Sequence, residues 1–249
     1  MTAPFPTRKQ EEWRYADLDA LRPVWEQFAQ AATLTVAPGE QFEEIWLPTA
    51  DEVQVKRVQL VLGEGASARL FVLNDASVYG RVEFEVSLEA SAGFELFAAN
   101  IGAGQSTNEI VTRVRHVGVG SRSRQTVRSV LGDTAVGSYL GKVEVARGAQ
   151  QTDGEQSVKA MLLDRGATAN CKPELEIYAD DVKCAHGASV GELDANQLFY
   201  AMSRGLDPAS AKALLLEGFV IGLWDAVADD AQREAICLAA REALRRVAR

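Results

Sequence analysis

Cys184 and His186 carry two side chains that bind soft metals, and a single residue separates them. The residues around them alternate with a period of two, so both side chains should point to one face of a β-strand. A thiolate and an imidazole are good iron ligands, but two groups cannot complete the coordination of a metal centre. By itself this spacing is more typical of a packed thiol beside a hydrogen-bonded imidazole. If the pair binds a metal, a second chain must supply the remaining ligands.

A predicted helix follows this strand within a few residues. Asp194 is a suitable N-cap, and Gln197 stands three residues later at the capping-box position. Gly205 follows the basic Arg204 and is a typical C-terminal stop. The Cys–His pair is therefore expected where a strand region ends and a helical region begins.

The region before the pair consists of short β-rich runs separated by small residues. The predicted strands are 53–62, 69–73, 81–88, 94–98, 110–119, 126–131, 138–145, 158–163 and 174–178. Turn glycines recur at steps of 28, 27, 28, 18 and 21 residues, at Gly65, Gly93, Gly120, Gly148, Gly166 and Gly187. A loose period of this size predicts a solenoid. We predict a mainly β fold, a right-handed parallel β-helix, while the pattern alone leaves a β-sandwich as an alternative.

The flanking regions are predicted to be helical, which divides the chain into three parts. Residues 1–50 form an amino-terminal helical segment, 51–190 the β-helix core and 191–249 a carboxyl-terminal helical segment. In the first part, apolar residues recur at helical spacing over 6–30. In the last part, Asp207 and Pro208 begin a helix with a broad apolar stripe that includes Leu215, Leu216, Phe219 and Trp224. We expect so apolar a stripe to be buried from solvent, partly by the chain's own helices and partly by a partner.

Composition limits the partners and the compartment. The 249 residues carry a formal charge of −9, which argues against nucleic acid or an anionic membrane as the main partner. The start of the chain lacks the apolar run of a signal peptide, and no later run approaches the roughly 20 apolar residues of a spanning helix, so we expect a soluble, cytoplasmic protein. Three cysteines without a CxxC pair predict reduced thiols and no complete zinc site.

Several short motifs match those of other protein classes, but the secondary structure or partner residues that each motif requires are not predicted around them. Residues 63–68 match the dinucleotide-binding GxGxxA, but a strand is predicted after them instead of a helix. Residues 187–191 spell the GxSxG elbow of hydrolases, yet both histidines precede Ser189, and a tight turn explains these glycines better. Asp180 and Asp181 could serve a carbohydrate-cleaving β-helix, although adjacent strand residues face opposite sides. The sequence has no GxxxxGK[ST], so another protein must perform any ATP-driven step.

Two stretches together resemble the SufD family, which belongs with its paralogue SufB to the SUF system for iron–sulfur cluster assembly. They are residues 172–205, KPELEIYADDVKCAHGASVGELDANQLFYAMSRG, and residues 6–18, PTRKQEEWRYADL. The resemblance implies the same β-helix fold. In that family a histidine in this HGA context lies where SufD meets SufB and is implicated in assembling the nascent cluster. His186 is the residue that matches it, and Cys184 is a weaker second candidate.

The resemblance also implies a non-catalytic scaffold that pairs with SufB or with a copy of itself. A transient iron–sulfur cluster would then be shared at the interface. Because the family holds the SufC ATPase with its carboxyl-terminal helices, Leu215, Leu216, Phe219 and Trp224 are candidate partner-binding residues. Family members are usually longer, so we expect fewer coils and less amino-terminal helix here.

Two other functions stay open at this point. One is a β-helix enzyme acting on polysaccharide, which release of sugar ends from acidic polysaccharides would reveal. The other is a homodimeric, SufD-like protein that binds the ATPase without forming a cluster.

Overall fold

Twelve β-strands occupy the middle of the chain in the computed structural model, which describes residues 4–49 and 51–248. They are β1 Ala32–Val36, β2 Gln41–Trp46, β3 Val53–Leu62, β4 Ser67–Asn74, β5 Tyr79–Leu88, β6 Gly93–Gly102, β7 Thr107–His116, β8 Arg122–Leu131, β9 Val136–Val145, β10 Asp153–Leu162, β11 Thr168–Ile177 and β12 Lys183–Glu192. Each of the nine predicted runs overlaps one of the strands β3 to β11.

The strands form two six-stranded sheets in which every pairing is parallel. Sheet A has the order β1-β3-β5-β7-β9-β11, and sheet B has the order β2-β4-β6-β8-β10-β12. Successive strands alternate between the sheets, so each pair of strands makes one coil of a β-solenoid with about six turns. The predicted parallel β-helix is confirmed. The β-sandwich alternative is excluded, because neighbouring strands are not joined as hairpins.

The solenoid begins earlier than the predicted segment boundary at residue 50. Strands β1 and β2 lie inside the segment that was predicted to be helical, and they form the first coil. A short β-run of five or six residues beside Pro38 and Gly39 carries too few alternating positions to stand out in the sequence.

The turn glycines explain why the predicted repeat is irregular. Gly65, Gly120 and Gly148 lie in corners on one side of the solenoid, between a sheet A strand and the next sheet B strand. Gly166 lies in a corner on the opposite side, which accounts for the short step of 18 residues. Gly187 was expected in a turn, but it lies within β12, so that expectation is wrong. The register shows coils of 26 residues between β3 and β5 and of 32 between β9 and β11.

The amino-terminal segment packs on the outer face of sheet A as a series of short turns. It contains the helices α1 (Leu18–Leu21) and α2 (Trp25–Ala29) and two 3-10 turns, Glu11–Trp13 and Arg22–Val24. Aromatic side chains of this segment pack with Tyr79 of β5. The segment was predicted as a helix over 6–30. Pro23 falls in the second 3-10 turn, which separates α1 from α2, and it interrupts the helical hydrogen bonding.

Three helices follow the solenoid, and their caps agree with the sequence signals. They are α3 (Ala195–Ser203), α4 (Pro208–Val220) and α5 (Asp230–Val247). The carboxylates of Asp194, Asp207 and Asp229 accept hydrogen bonds from backbone N–H groups in the first turn of each helix. Helices α4 and α5 pack their apolar faces on the outer face of sheet B. In the described ranges, none of the helices is long and apolar enough to cross a membrane.

Candidate functional site

The last coil leaves one end of the solenoid open. Strands β11 and β12 are the outermost strands of their sheets, and each has a strand neighbour on one side only. Nine of the ten residues of β12 are exposed, whereas every second residue along most of β8 and β10 is buried. Exposed parallel edges carry unpaired backbone N–H and C=O groups that can pair with another chain. The predicted Cys–His site lies on this end.

Cys184 and His186 share the inward face of β12. In the register, Cys184 pairs with Gly154 and His186 with the buried Gln156 of β10. Cys184 is half-buried and packs against the solenoid core, while His186 is exposed at the open end. Burial raises the pKa of the Cys184 thiol. A thiol with a raised pKa is protonated at neutral pH, so metal binding would have to displace its proton.

A second cysteine lies on the inward face of the same coil. Cys171 of β11 is half-buried, packs against the core and is the register partner of the buried Tyr139. Burial raises the pKa of its thiol as well. Its place on this coil could not be predicted from the sequence, because it depends on the long-range register. The third cysteine, Cys237, is buried in α5 among the carboxyl-terminal helices.

The ligand set within one chain is incomplete. Among the described residues, no group of three His, Cys, Asp or Glu side chains converges closely enough to hold a metal ion. Cys184 and His186 are thus a partial set of two donors on a shared strand face. Two soft donors at an open, strand-edged surface can contribute to a metal site that a second chain completes.

His116 lies inside the solenoid and has a well-defined hydrogen-bond network. Its Nδ1 lies 2.8 Å from Ser121 Oγ, and its Nε2 lies 2.9 Å from Ser123 Oγ. Ser121 donates its hydroxyl proton to the carbonyl of Gly118 at 3.0 Å. It must therefore accept from His116, so Nδ1 carries the ring proton and Nε2 accepts from Ser123. Burial lowers the pKa of His116 to about 4, which keeps the ring neutral.

We expect the stability of the fold to fall in mild acid because of His116. The ordinary histidine pKa of 6.5 applies to the unfolded chain, and the folded value is about 4. The contribution of His116 to the free energy of unfolding is therefore complete above pH 6.5. It falls as the pH drops towards 4, because the unfolded chain binds a proton that the buried ring does not bind. The loss should reach about 3 kcal/mol, which urea unfolding at a series of pH values would measure.

His116→Leu is the matched control for this prediction. Leu88 occupies the equivalent position in the preceding coil, so leucine suits the space. The variant should lose most of the pH dependence between 6.5 and 4. An identical pH profile in the variant and the parent chain would contradict the assignment.

The predicted partner-binding stripe is partly in the core. Leu216 and Trp224 are 0% exposed and pack between the helices and sheet B, so they cannot contact a partner in this arrangement. The stripe was too broad, because the outer face of sheet B covers one side of it. Leu215 and Phe219 are half-buried and keep some free surface. Leu214, which the prediction did not single out for partner binding, is 56% exposed.

The remaining motifs have structural explanations. Residues 63–66 form a corner in which Gly65 has a φ of +68°, and strand β4 follows them instead of a helix. Residues 187–191 lie within β12, so they form neither the hydrolase elbow nor the tight turn that was expected. Asp180 and Asp181 are exposed in the corner between β11 and β12.

Comparison with known proteins identifies the family of the chain. The family model described as SUF system FeS cluster assembly, SufBD core domain, matches residues 35–219. The chain is 37% identical to the iron-sulfur cluster assembly protein SufD of Escherichia coli K12 over 114 residues, which are 46% of this chain and 27% of that protein.

Two further relatives match shorter or similar stretches. SufD of Bacillus subtilis is 33% identical over 120 residues, 48% of this chain and 28% of that protein. The chloroplastic protein ABCI7 of Arabidopsis thaliana is 48% identical over 81 residues, 32% of this chain and 17% of that protein. The matches thus span 17% to 28% of the length of these three relatives. Since the family model covers most of the chain, the protein belongs to the SufBD family of the SUF system for iron–sulfur cluster assembly.

Proposed function

We propose that this chain is a scaffold subunit on which an iron–sulfur cluster is assembled as cargo, and that it has no turnover of its own. The observation that carries the proposal is the open last coil, where His186 and Cys184 share a strand face beside unpaired strand edges. A cluster needs more ligands than these two side chains supply. The site would therefore form transiently between two chains, with His186 as the main ligand from this one.

The proposed partner at this end is SufB or a second copy of this chain. A second solenoid could add its own edge strands to β11 and β12, which would satisfy the open backbone groups of both sheets. Apolar side chains at the last coil support such a contact, because Tyr178 is 52% and Val190 49% exposed. Pairing would cover this apolar surface and enclose His186.

The proposed docking surface for a SufC-type ATPase is the groove between α3 and α4. It has a volume of about 480 Å³ and an apolar lining that includes Tyr200, Leu206, Leu214 and Leu215. Tyr200 in this lining is 60% exposed, and Phe199, the preceding residue on α3, is 73% exposed. An apolar groove flanked by exposed aromatic side chains is typical of a protein-binding surface. Phe219 remains a candidate at the edge of α4.

We expect Leu214→Asp combined with Leu215→Asp to abolish binding of the ATPase. A pair of carboxylates in an apolar contact would have to lose its hydration on binding, which is unfavourable. A pull-down with the ATPase measures the loss, and circular dichroism checks that the solenoid remains folded. Leu238→Asp is the matched control, since Leu238 is 50% exposed but lies on α5 outside the groove. Wild-type binding after every exposed position in the groove has been changed would rule this surface out.

Anaerobic isolation of the native complex tests the proposed function as a whole. Its mass, iron and sulfide content are expected to show a second solenoid chain, an ATPase and a labile cluster. A complex of two copies with the ATPase but without iron would support the homodimeric alternative. A monomer without partners would contradict the scaffold proposal.

A further inference from the structure

Two facing inward columns of the solenoid change from aliphatic side chains in the middle coils to polar side chains towards the open end. One inward column of sheet B contains, in register from β4 to β12, Leu70, Leu96, Gln125, Gln156 and His186. A facing column of sheet A contains, from β5 to β11, Val82, Ile110, Tyr139 and Cys171. Leu70, Leu96, Val82 and Ile110 thus fill these positions with aliphatic side chains in the middle coils, whereas the columns continue to the charged Glu44 on β2 and Lys56 on β3 at the other end. The architecture itself does not require polar groups there.

Gln156 and Tyr139 form a hydrogen-bonded connection between the sheets, here called the joint, one coil beneath His186. The side-chain amide of Gln156 donates from Nε2 to the carbonyl of Glu174 at 3.1 Å. This bond fixes the orientation of the amide, so Oε1 accepts from the hydroxyl of Tyr139 at 2.8 Å. Both Gln156 and Tyr139 are buried. The joint therefore links β10 to two strands of the facing sheet.

Gly141 provides the space for this joint. A Cβ atom at position 141 would lie closer than 3.0 Å to both Tyr139 Oη and Gln156 Oε1. Any other residue would displace the hydrogen bond. Since Gly141 is an inward position of β9, its missing side chain leaves a gap in the core that the tyrosine hydroxyl and the glutamine amide fill.

Further polar groups surround the tyrosine hydroxyl. Thr112 Oγ1 lies 3.2 Å and Gln125 Oε1 lies 3.1 Å from Tyr139 Oη. The hydroxyl has one proton, which it donates in the hydrogen bond to Gln156 Oε1, so Thr112 is the donor in its pair with Tyr139. Gln125 Nε2 is buried without a partner among the described residues, and a half-turn of that amide would let it donate to Tyr139.

We propose that Gln156, held by Tyr139 in the space that Gly141 leaves, is a positioning residue for the imidazole of His186. The two residues are register partners in parallel strands, so their side chains are neighbours on the inward face. In the described structure the Gln156 amide uses one N–H and one oxygen lone pair. Its second N–H and its second lone pair are therefore available to the imidazole of His186 in the next coil. A fixed amide can select the ring tautomer and orientation that a metal ligand needs. The inference rests on the proposed role of His186.

The test is a Co²⁺ titration of the full chain in complex with its partner chain under anaerobic conditions, with absorption bands that report thiolate and imidazole ligation. The variant Tyr139→Phe/Gln156→Leu gives these positions the apolar character of the middle coils. Thr112 and Gln125 lose a hydrogen-bond partner, so we expect a modest fall in melting temperature and a retained fold. We expect its Co²⁺ affinity to drop by about 10-fold to 100-fold. The nitrogen NMR signature of the His186 tautomer should change as well. Ser129→Ala is the control that should leave both readouts unchanged, because Ser129 is buried on β8 away from Tyr139 and Gln156 and its register partner on β10 is already an alanine.

The outcomes separate this inference from the proposed function. His186→Ala with unchanged Co²⁺ affinity would overturn the role of His186 itself. If His186→Ala weakens binding while the double variant keeps the parent affinity and tautomer, the joint is structural and the positioning role is wrong. Should the double variant fail to fold, Gln156→Met keeps the length of the side chain, and the same two readouts decide.

Discussion

Cluster assembly is expected to be lost in His186→Ala while the fold and the partners are kept. His186 is exposed and makes no hydrogen bond to the residues that the structure describes, so its removal should change the free energy of unfolding by less than about 0.5 kcal/mol. The imidazole would nevertheless be missing from the shared site. Anaerobic reconstitution of the purified complex, followed by absorption spectra and iron analysis, measures the loss.

Two controls separate a chemical role of His186 from a structural one. A structural role would lower stability by the cost of a lost buried hydrogen bond, about 1 to 3 kcal/mol, which thermal unfolding would detect. Cys184→Ala should affect assembly less, because Cys184 is half-buried and its thiol pKa is raised. Cluster formation at parent levels in the His186→Ala complex would defeat the ligand proposal.

Local signals predicted those parts of the fold that short stretches of chain determine. Strand β3, Val53–Leu62, coincides with the predicted run, because four valines among its ten residues favour a strand without help from distant contacts. The caps at Asp194 and Asp207 likewise depend on a few neighbouring residues. The Cys184–His186 pair was placed on one strand face for the same reason, since alternation is a property of one strand.

Long-range packing explains what the sequence could not predict. Trp224 is buried because the outer face of sheet B covers it, and no feature of the apolar stripe distinguishes a residue covered by the chain from one covered by a partner. The position of Gln156 next to His186, and that of Cys171 on the same coil, follow from the register between coils about 30 residues apart. Gly187 resembles a turn residue, but backbone pairing with Ser157 of β10 keeps it in a strand.

The largest loss of stability is expected from Arg81→Met. Arg81 is fully buried on the outer face of sheet A, beneath the amino-terminal segment. Its guanidinium lies 3.2 Å from Glu109 Oε2 and 2.8 Å from Glu83 Oε2, and it stacks on the ring of Trp13 at 3.8 Å. Desolvation lowers the pKa of Arg81, but the two carboxylates outweigh it and raise the pKa overall. Arg81 is therefore charged in the folded protein.

Removing this cation leaves the buried carboxylate of Glu109 without compensation. One of its oxygens, Oε1, already lacks a hydrogen-bond partner among the described residues, and the other keeps only the hydroxyl of Tyr79, at 2.7 Å. An unpaired buried charge of this kind costs about 3 to 5 kcal/mol. Urea unfolding at neutral pH should show that loss for Arg81→Met.

Two variants test whether the loss comes from the buried charge. Arg81→Met/Glu109→Gln removes both charges and should recover much of the stability, because no uncompensated carboxylate remains in the pair. Arg57→Met removes a neighbouring arginine that is 23% exposed and pairs with Glu83 and Glu85, so we expect about 1 kcal/mol or less. If Arg81→Met cost no more than Arg57→Met, the buried network would contribute little, and the packing of Trp13 and its neighbours alone would hold the amino-terminal segment on sheet A.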